Sequence, residues 1–246
     1  MMQLWVLLWC PWVARGLAAP RRGLADLVAP ARSAEDAAAF YSRAIGGDAE
    51  VLSVDPLLVK LPGFATAAEC DALLARGGDA WRASTVVRDD DGAASTSYRT
   101  SRTAWLDGAA VPPGVAARAR AVHELPDAHA EKWQLARYGA GDEYRLHTDT
   151  VPAFNDLAPG GRFATLLLYL DDVERGGATA FPEIGVAVTP ERGTAIYFRN
   201  VREPLAGVFA MDTHPGSRHA GEPVDAGTKH IATRWVHPVP YPDGLS

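Results

Sequence analysis

A histidine and an aspartate two positions apart, His147 and Asp149, have a spacing that is suited to binding one metal ion. In an extended segment, positions i and i+2 project to the same side, so both side chains can reach the same ion. A third ligand, a second imidazole, would complete a set that leaves three coordination positions of a non-heme Fe(II) ion open. Those positions suit a chelating 2-oxo acid and dioxygen, so the pattern predicts oxygenase chemistry.

The second imidazole has four candidates downstream, and spacing alone does not choose among them: His214, His219, His230 and His237. His219 precedes a turn that leads into the final predicted strands, and Lys229 follows ten residues later. A cation beyond the metal can hold the far carboxylate of a 2-oxo acid. The order of these residues is therefore that of an iron site followed by a cosubstrate anchor.

The segment from about residue 131 onward must position these side chains, and its pattern is that of short strands separated by glycine and proline turns. The predicted strands are Trp133–Tyr138, Phe163–Leu170, Gly185–Val188, Thr194–Phe198 and His230–His237, all rich in β-branched, aromatic or apolar residues. Within the second of them, Thr165–Leu170 is a nearly continuous apolar run, which predicts a strand covered on both faces.

Helices are predicted before this region. Ser33 caps one that runs to Ile45 and ends at Gly46-Gly47, and two more are predicted at 66–75 and 113–122, with a strand at 57–60 and an exposed loop at 88–96. Helices followed by many short strands predict an α+β fold with a mainly β catalytic core. The expected architecture is a double-stranded β-helix (jelly roll) with supporting N-terminal helices.

The N-terminus has the features of a secretory signal peptide over residues 1–19. The apolar run Leu4–Ala14 is shorter than the roughly 20 residues of a membrane-spanning helix, and small residues follow it. The sequence therefore predicts a linker and N-terminal helix at 20–50, a catalytic domain at 51–242, no transmembrane span and entry into the secretory pathway, with the endoplasmic reticulum lumen as destination. No basic residue precedes the apolar run, and arginines precede the first acidic residue, Asp26, so an organellar transit peptide is the alternative.

Composition limits the partners. The 246-residue chain has a net charge of -6 and no basic stripe, which argues against nucleic acid as an obligate partner. Its two cysteines are Cys10, which would leave with the signal peptide, and Cys70. Cys70 lies in a predicted amphipathic helix, where a buried, small hydrophobic role is expected; covalent pairing with a partner subunit is the alternative.

Over roughly residues 55–240, the motifs together resemble a known family. They are Phe64–Cys70, Arg99–Ser101, Tyr138, Tyr144, His147-Thr148-Asp149, Gly161–Thr165, Tyr169-Leu170, Gly176–Pro182, His219–Val224, Lys229 and Trp235-Val236-His237. In this order they resemble the prolyl 4-hydroxylase alpha-subunit family of 2-oxoglutarate- and Fe(II)-dependent dioxygenases. The chain departs from the family at His230, where a tryptophan is frequent.

The resemblance implies roles for individual residues. His147, Asp149 and His219 would bind Fe(2+), and Lys229 would hold the distal carboxylate of 2-oxoglutarate. Tyr138, Thr165 and Tyr169 would line the cosubstrate pocket, although core packing is an equal alternative for Tyr169.

Four further residues match positions near the peptide substrate: Arg162, His237, Tyr144 and Trp235. Core packing is the alternative for the tyrosine and the tryptophan, and an exposed charge is the alternative for the arginine. Aromatic faces and side-chain donors suit a proline-rich peptide, because polyproline II has no internal hydrogen bonds.

The implied reaction is hydroxylation of peptidyl proline at C4, with O2 and 2-oxoglutarate consumed and L-ascorbate as a supporting reductant. The sequence does not indicate whether a partner subunit is needed. Two alternatives stay open, a 2-oxoglutarate hydroxylase acting on another residue or a small molecule, and a non-catalytic jelly-roll module that binds metal. Lys229 argues against the second, because a structural metal needs no carboxylate anchor.

Overall fold

The structure is a computed structural model that describes residues 33–84, 86–87, 94–95, 98–150, 161–204 and 211–241. The predicted signal peptide, most of the linker and most of the predicted exposed loop lie outside these residues and stay predictions. Within the described ranges, no helix is both long enough and apolar enough to cross a membrane.

Three α-helices precede most of the sheet: α1 (Ala34–Ile45), α2 (Ala67–Gly77) and α3 (Pro113–His123). The side chain of Ser33 caps α1 by accepting a 3.0 Å hydrogen bond from the amide of Asp36. A capping box starts α2, where Thr66 and Glu69 each accept a hydrogen bond from the other's backbone amide. These local signals explain why the helices begin where the sequence predicts.

The described residues form eighteen strands. In chain order they are β1 (Glu50–Val54), β2 (Leu57–Leu61), β3 (Arg82–Ala83), β4 (Val86–Val87), β5 (Ala94–Ser95), β6 (Arg102–Leu106), β7 (Trp133–Tyr138), β8 (Tyr144–His147), β9 (Ala164–Tyr169), β10 (Arg175–Gly176), β11 (Thr179–Phe181), β12 (Val186–Val188), β13 (Ala195–Arg199), β14 (Val201–Pro204), β15 (Met211–Thr213), β16 (His219–Gly221), β17 (Val224–Ala226) and β18 (Lys229–Val236).

Two sheets dominate this part of the chain. The major sheet has eight strands in the order β1-β2-β13-β9-β18-β7-β6-β3, and the minor sheet has four in the order β12-β11-β16-β8. Strand β9 lies in the middle of the major sheet and all six of its residues are buried, as its apolar run predicts. The non-consecutive strand order and the two layers confirm the predicted jelly roll.

The major sheet is covered on both faces. One face packs with the helices in a core that includes Leu73 of α2 and Leu166 of β9. The other packs on the minor sheet and the strands beside it, where Ile196 and Ile231 meet Phe181. Because side chains alternate along a strand, Lys229, Ile231, Thr233 and Trp235 of β18 all point toward the minor sheet.

Candidate active site

Three potential metal ligands meet at one end of the minor sheet. His147 ends β8, His219 begins β16, and the antiparallel register pairs the two histidines directly. Asp149 lies two residues beyond β8. One ligand atom from each of the three residues lies within 4.8 Å of the others. His147 Nε2 is 3.7 Å from Asp149 Oδ1, and His219 Nε2 is 3.8 Å from Asp149 Oδ2.

Hydrogen bonds fix which nitrogen of each imidazole faces the cluster. His147 Nδ1 lies 2.7 Å from the carbonyl oxygen of Arg145, and His219 Nδ1 lies 3.0 Å from that of Ser217. A carbonyl oxygen can only accept, so each Nδ1 carries the proton and each Nε2 keeps a lone pair for a metal. Two imidazoles and one carboxylate, each oriented by a further hydrogen bond, form a donor set that fits Fe(II).

The charge states also suit a divalent cation. Burial, reinforced by the neighbouring His219, lowers the pKa of His147 to about 3, so this imidazole is neutral. Burial opposes ionisation of Asp149, but the neighbouring His219, Arg162 and the hydrogen bond from Thr165 hold the pKa of the carboxyl below its usual value. His147 therefore offers a neutral nitrogen and Asp149 an anionic oxygen, the forms that bind metal.

Asp149 is oriented by a chain of buried side chains. Thr165 Oγ1 donates to Asp149 Oδ2 at 2.6 Å and accepts from Asn200 Nδ2 at 3.0 Å. The backbone carbonyl oxygen of Asn200 in turn accepts a 3.1 Å hydrogen bond from Ser217 Oγ. The backbone carbonyl of the same serine holds His219. Asn200 thus connects both arms of the cluster, a role for which its sequence context, between two strands, gave no signal.

Lys229 lies across the cavity from the cluster, at the start of β18 and opposite Tyr138. The side chain is buried, and its ammonium donates a 2.6 Å hydrogen bond to the carbonyl of Gly177. The rings of Tyr138 and Tyr169 lie 5.6 and 5.8 Å from Nζ. Burial lowers the pKa of Lys229 to about 8. No carboxylate among the described residues lies within ion-pairing distance of Lys229, and Glu222 and Asp171 act on the ammonium only from farther away.

The cavity between Lys229 and the cluster contains most of the residues predicted to surround a cosubstrate. Its wall is formed by Arg99, Tyr138, Tyr144, His147, Asp149, Thr165, Leu167, Thr179, His219, Gly221, Lys229, Ile231, Thr233 and Trp235. Tyr169 is fully buried beside this wall, and its hydroxyl donates to Thr179 Oγ1 at 2.8 Å. Thr165 lines the cavity, but its hydroxyl is engaged with Asp149.

Of the residues predicted near a peptide substrate, Arg162, Trp235 and His237 form one network around a glutamate. Arg162 makes a bidentate ion pair with Glu131, with Nη2 2.8 Å from Oε2, and its guanidinium lies 3.8 Å from the centroid of the Trp235 ring. His237 Nε2 lies 3.0 Å from Glu131 Oε1. Burial opposes ionisation of Glu131, but Arg162 and His237 hold its pKa below the usual value. Sequence reasoning missed Glu131, since a glutamate before a strand is usually exposed.

The remaining predicted residue, Tyr144, stacks on the metal cluster. Its ring is 3.5 Å from that of His147 with an interplanar angle of 15°, and the guanidinium of Arg99 lies 4.9 Å from its centroid. Arg99 also donates to Gln134 Oε1 and Ser101 Oγ, both at 2.9 Å. The structure therefore brings all eleven predicted site residues to one cavity and its surroundings.

Family comparison agrees with this geometry. Residues 133–237 match the model of the 2OG-Fe(II) oxygenase superfamily. The jelly-roll fold, the ligand cluster and this match, which spans less than half of the chain, together show an enzyme domain of the 2OG-Fe(II) oxygenase type over residues 133–237.

Within that class, the chain is similar to prolyl 4-hydroxylases. It is 37% identical over 147 residues to prolyl 4-hydroxylase subunit alpha-1 of Gallus gallus, which covers 57% of this chain and 27% of the relative. It is 33% identical over 196 residues to prolyl 4-hydroxylase subunit alpha-2 of Caenorhabditis elegans, covering 76% of this chain and 35% of the relative. The chain thus spans about a third or less of the length of these relatives.

A solved structure supports the same relationship. The viral collagen prolyl hydroxylase of Paramecium Bursaria Chlorella virus-1, in complex with 2-oxoglutarate, superposes with a TM-score of 0.57 at 26% identity, covering 74% of this chain and 96% of that protein. The predicted resemblance to the prolyl 4-hydroxylase alpha-subunit family is confirmed.

Proposed function

We propose that this chain is a 2-oxoglutarate- and Fe(II)-dependent dioxygenase that forms 4-hydroxyproline in proline-rich proteins of the secretory pathway, with release of succinate and CO2. One observation carries the proposal: a His-Asp-His cluster and a buried ammonium without a carboxylate partner face each other across a single cavity. A dicarboxylate with one end at the metal and the other at Lys229 would satisfy both.

The proposed division of roles follows from the contacts. His147, Asp149 and His219 would hold Fe(II) through two Nε2 atoms and a carboxylate oxygen. Lys229 would pair with the distal carboxylate of 2-oxoglutarate, and the hydroxyl of Tyr138, which makes no hydrogen bond with the described residues, is free to join it. A buried cation without a partner is costly, so the binding of this carboxylate would relieve a desolvation penalty.

Bound Fe(II), 2-oxoglutarate and O2 would together supply the oxidising chemistry, in which one oxygen atom enters succinate and the other the C4–H bond of proline. The protein would contribute orientation and a dry cavity. The proton on each Nδ1 keeps the imidazoles in the ligating tautomer, and the apolar side chains of Leu167 and Ile231 exclude water from the cosubstrate.

The peptide assignment rests on the named relatives and on the aromatic and cationic groups beside the cluster. Tyr144 and Trp235 would contact the peptide, and Arg162 and His237, held by Glu131, would orient it. L-ascorbate as reductant, the endoplasmic reticulum lumen as location, and the division into residues 1–19, 20–50 and 51–242 complete the proposal. An organelle reached by a transit peptide is the alternative location.

The test is succinate release by the purified protein with Fe(II), 2-oxoglutarate and O2, with and without a proline-rich peptide, and mass spectrometry of the peptide for one added oxygen atom. His219→Ala should abolish both signals. His230→Gln is the matched control, since His230 lies on the opposite face of β18 from Lys229 and pairs with Asp171. Succinate release that peptides do not stimulate would favour another substrate, and no release at all would favour a metal-binding module.

A further inference from the structure

Trp235, which lines the cavity, contacts an exposed tryptophan, Trp105 in β6. Large apolar side chains of the described residues are almost all covered; the two exceptions are Trp105 and Val54, each 42% exposed. A single exposed apolar residue needs no special explanation. The position of Trp105 relative to the cavity is what distinguishes it from Val54.

Register puts Trp105 on the same face of the major sheet as the cavity. Trp105 pairs with Gln134 of β7, which pairs with Thr233 of β18, so the three side chains form a row across the sheet. Ala104 and Leu106, the neighbours of Trp105 along β6, point to the helices instead. The row leads directly to Trp235, which shares a face with Thr233.

The two tryptophans are in ring contact. Their centroids are 6.1 Å apart with planes tilted by 47°, and Trp235 is 6% exposed whereas Trp105 is open to solvent. Trp235 also contacts the guanidinium of Arg162, which lies 3.8 Å from its ring centroid. Strand β3 pairs only with Arg102 and Thr103, so it ends short of Trp105 and leaves this edge of the sheet uncovered by any described strand.

We propose that Trp105 extends the substrate site into a second subsite, an aromatic surface that binds a proline-rich segment next to the reacting residue. The inference rests on the proposed function and deepens it by making substrate length a determinant of binding. Proline rings pack on aromatic faces, and an extended polyproline II chain offers them without internal hydrogen bonds to break. The 6.1 Å between the ring centroids matches a rise of about two residues in that conformation.

The experiment compares Trp105→Ala with wild type on two peptides, a single proline with blocked ends, which is too short to reach Trp105, and a proline-rich peptide of about ten residues, which is long enough. The expected result is a rise of about threefold to tenfold in the ratio of the long-peptide KM to the short-peptide KM, the size of one aromatic contact. Trp105→Phe should restore most of the preference. Val54→Ala, which removes the other exposed apolar side chain at the far edge of the sheet, is the matched control and should leave the ratio as in wild type.

Equal increases in KM for both peptides would overturn the subsite, since a merely structural role of Trp105 would act on both. Calorimetric titration of the long peptide into protein loaded with Mn(II) and 2-oxoglutarate separates this inference from the proposed function. Binding that weakens in Trp105→Ala supports the subsite even where no hydroxylation occurs. Turnover by wild type with no change in the variant overturns the subsite and leaves the proposed function standing; no binding by wild type overturns the subsite too.

Discussion

The hydroxyl of Thr165 donates a 2.6 Å hydrogen bond to Oδ2 of Asp149, and the amide of Asn200 donates to that hydroxyl. All three residues are buried. Because the hydroxyl both accepts and donates, it transmits the position of Asn200 to the carboxylate. The orientation of one proposed metal ligand therefore depends on a contact between β9 and the residue that follows β13.

Removal of this hydroxyl should weaken metal binding. Thr165→Val keeps the shape of the side chain but leaves Asp149 without its donor, and loss of such an outer hydrogen bond typically costs roughly tenfold to a hundredfold in metal affinity. Titration with Mn(II), followed by its paramagnetic resonance, measures the affinity without turnover. Thr233→Val is the matched control, since this threonine lines the cavity without a hydrogen bond to the cluster. Equal affinity in both variants and wild type would contradict the prediction.

The affinity for 2-oxoglutarate should fall as pH rises through about 8. Burial lowers the pKa of Lys229 to about 8 in the free protein, so the ammonium is present below that pH and is lost above it. A neutral amine pairs poorly with a carboxylate, and KM for 2-oxoglutarate should therefore rise about tenfold per pH unit above 8. Lys229→Arg should flatten the profile, because a guanidinium stays charged. A wild-type KM constant between pH 7 and 9 would rule this out.

The same buried charge should reduce the stability of the protein without cosubstrate. The folded-state pKa is depressed, so the unfolded chain binds more protons between about pH 8 and 10.5, and stability rises with pH across that window. Lys229→Met removes the penalty and should stabilise the free protein at pH 7 by on the order of 1–3 kcal/mol. Urea unfolding at pH 7 and pH 10 measures both effects. A variant less stable than wild type at pH 7 would contradict the argument.

The sequence predicted the local parts of this fold well. Ser33 and Gly46 bound α1 as their cap chemistry requires, and the apolar run at 165–170 is the central strand. Each end of a predicted strand lies within one residue of the corresponding observed end. These features depend on neighbours in sequence, which is why pattern alone located them.

Long-range pairing was less visible. The strand β8, with the mixed sequence Tyr-Arg-Leu-His, was not predicted, yet its register with β16 is what brings His147 to His219. Spacing leaves four histidines as candidates for the second imidazole, and only the family resemblance selects His219. Glu131 and Asn200 escaped notice for the same reason: their partners are fixed by strand register.

The Glu131–Arg162 pair should be essential to the stability of the substrate side of the site. Glu131→Gln would leave a buried guanidinium without its carboxylate, and breaking a buried pair from one side costs about 3–5 kcal/mol. Glu143→Gln, which breaks the more exposed pair with Arg145, should change stability by less than about 1 kcal/mol. Chemical denaturation of both variants gives the comparison. Similar small losses in the two would mean that water replaces the carboxylate around Arg162.

An added methyl group at Gly177 should disturb the proposed cosubstrate anchor, because this glycine touches Lys229. Its φ is +69°, and an added Cβ would meet Val224 Cγ2 at 3.2 Å and Lys229 Cδ at 3.3 Å. Gly185 is the matched control, with φ of +67° and no atom within 4 Å of an added Cβ. Alanine at either position costs about 1 kcal/mol for the left-handed backbone, so thermal unfolding should shift by a similar amount in both variants. Only Gly177→Ala should also raise KM for 2-oxoglutarate, because only an added Cβ at Gly177 forces Lys229 to move. An equal KM in the two variants would show that the contact between Gly177 and Lys229 does not affect cosubstrate binding.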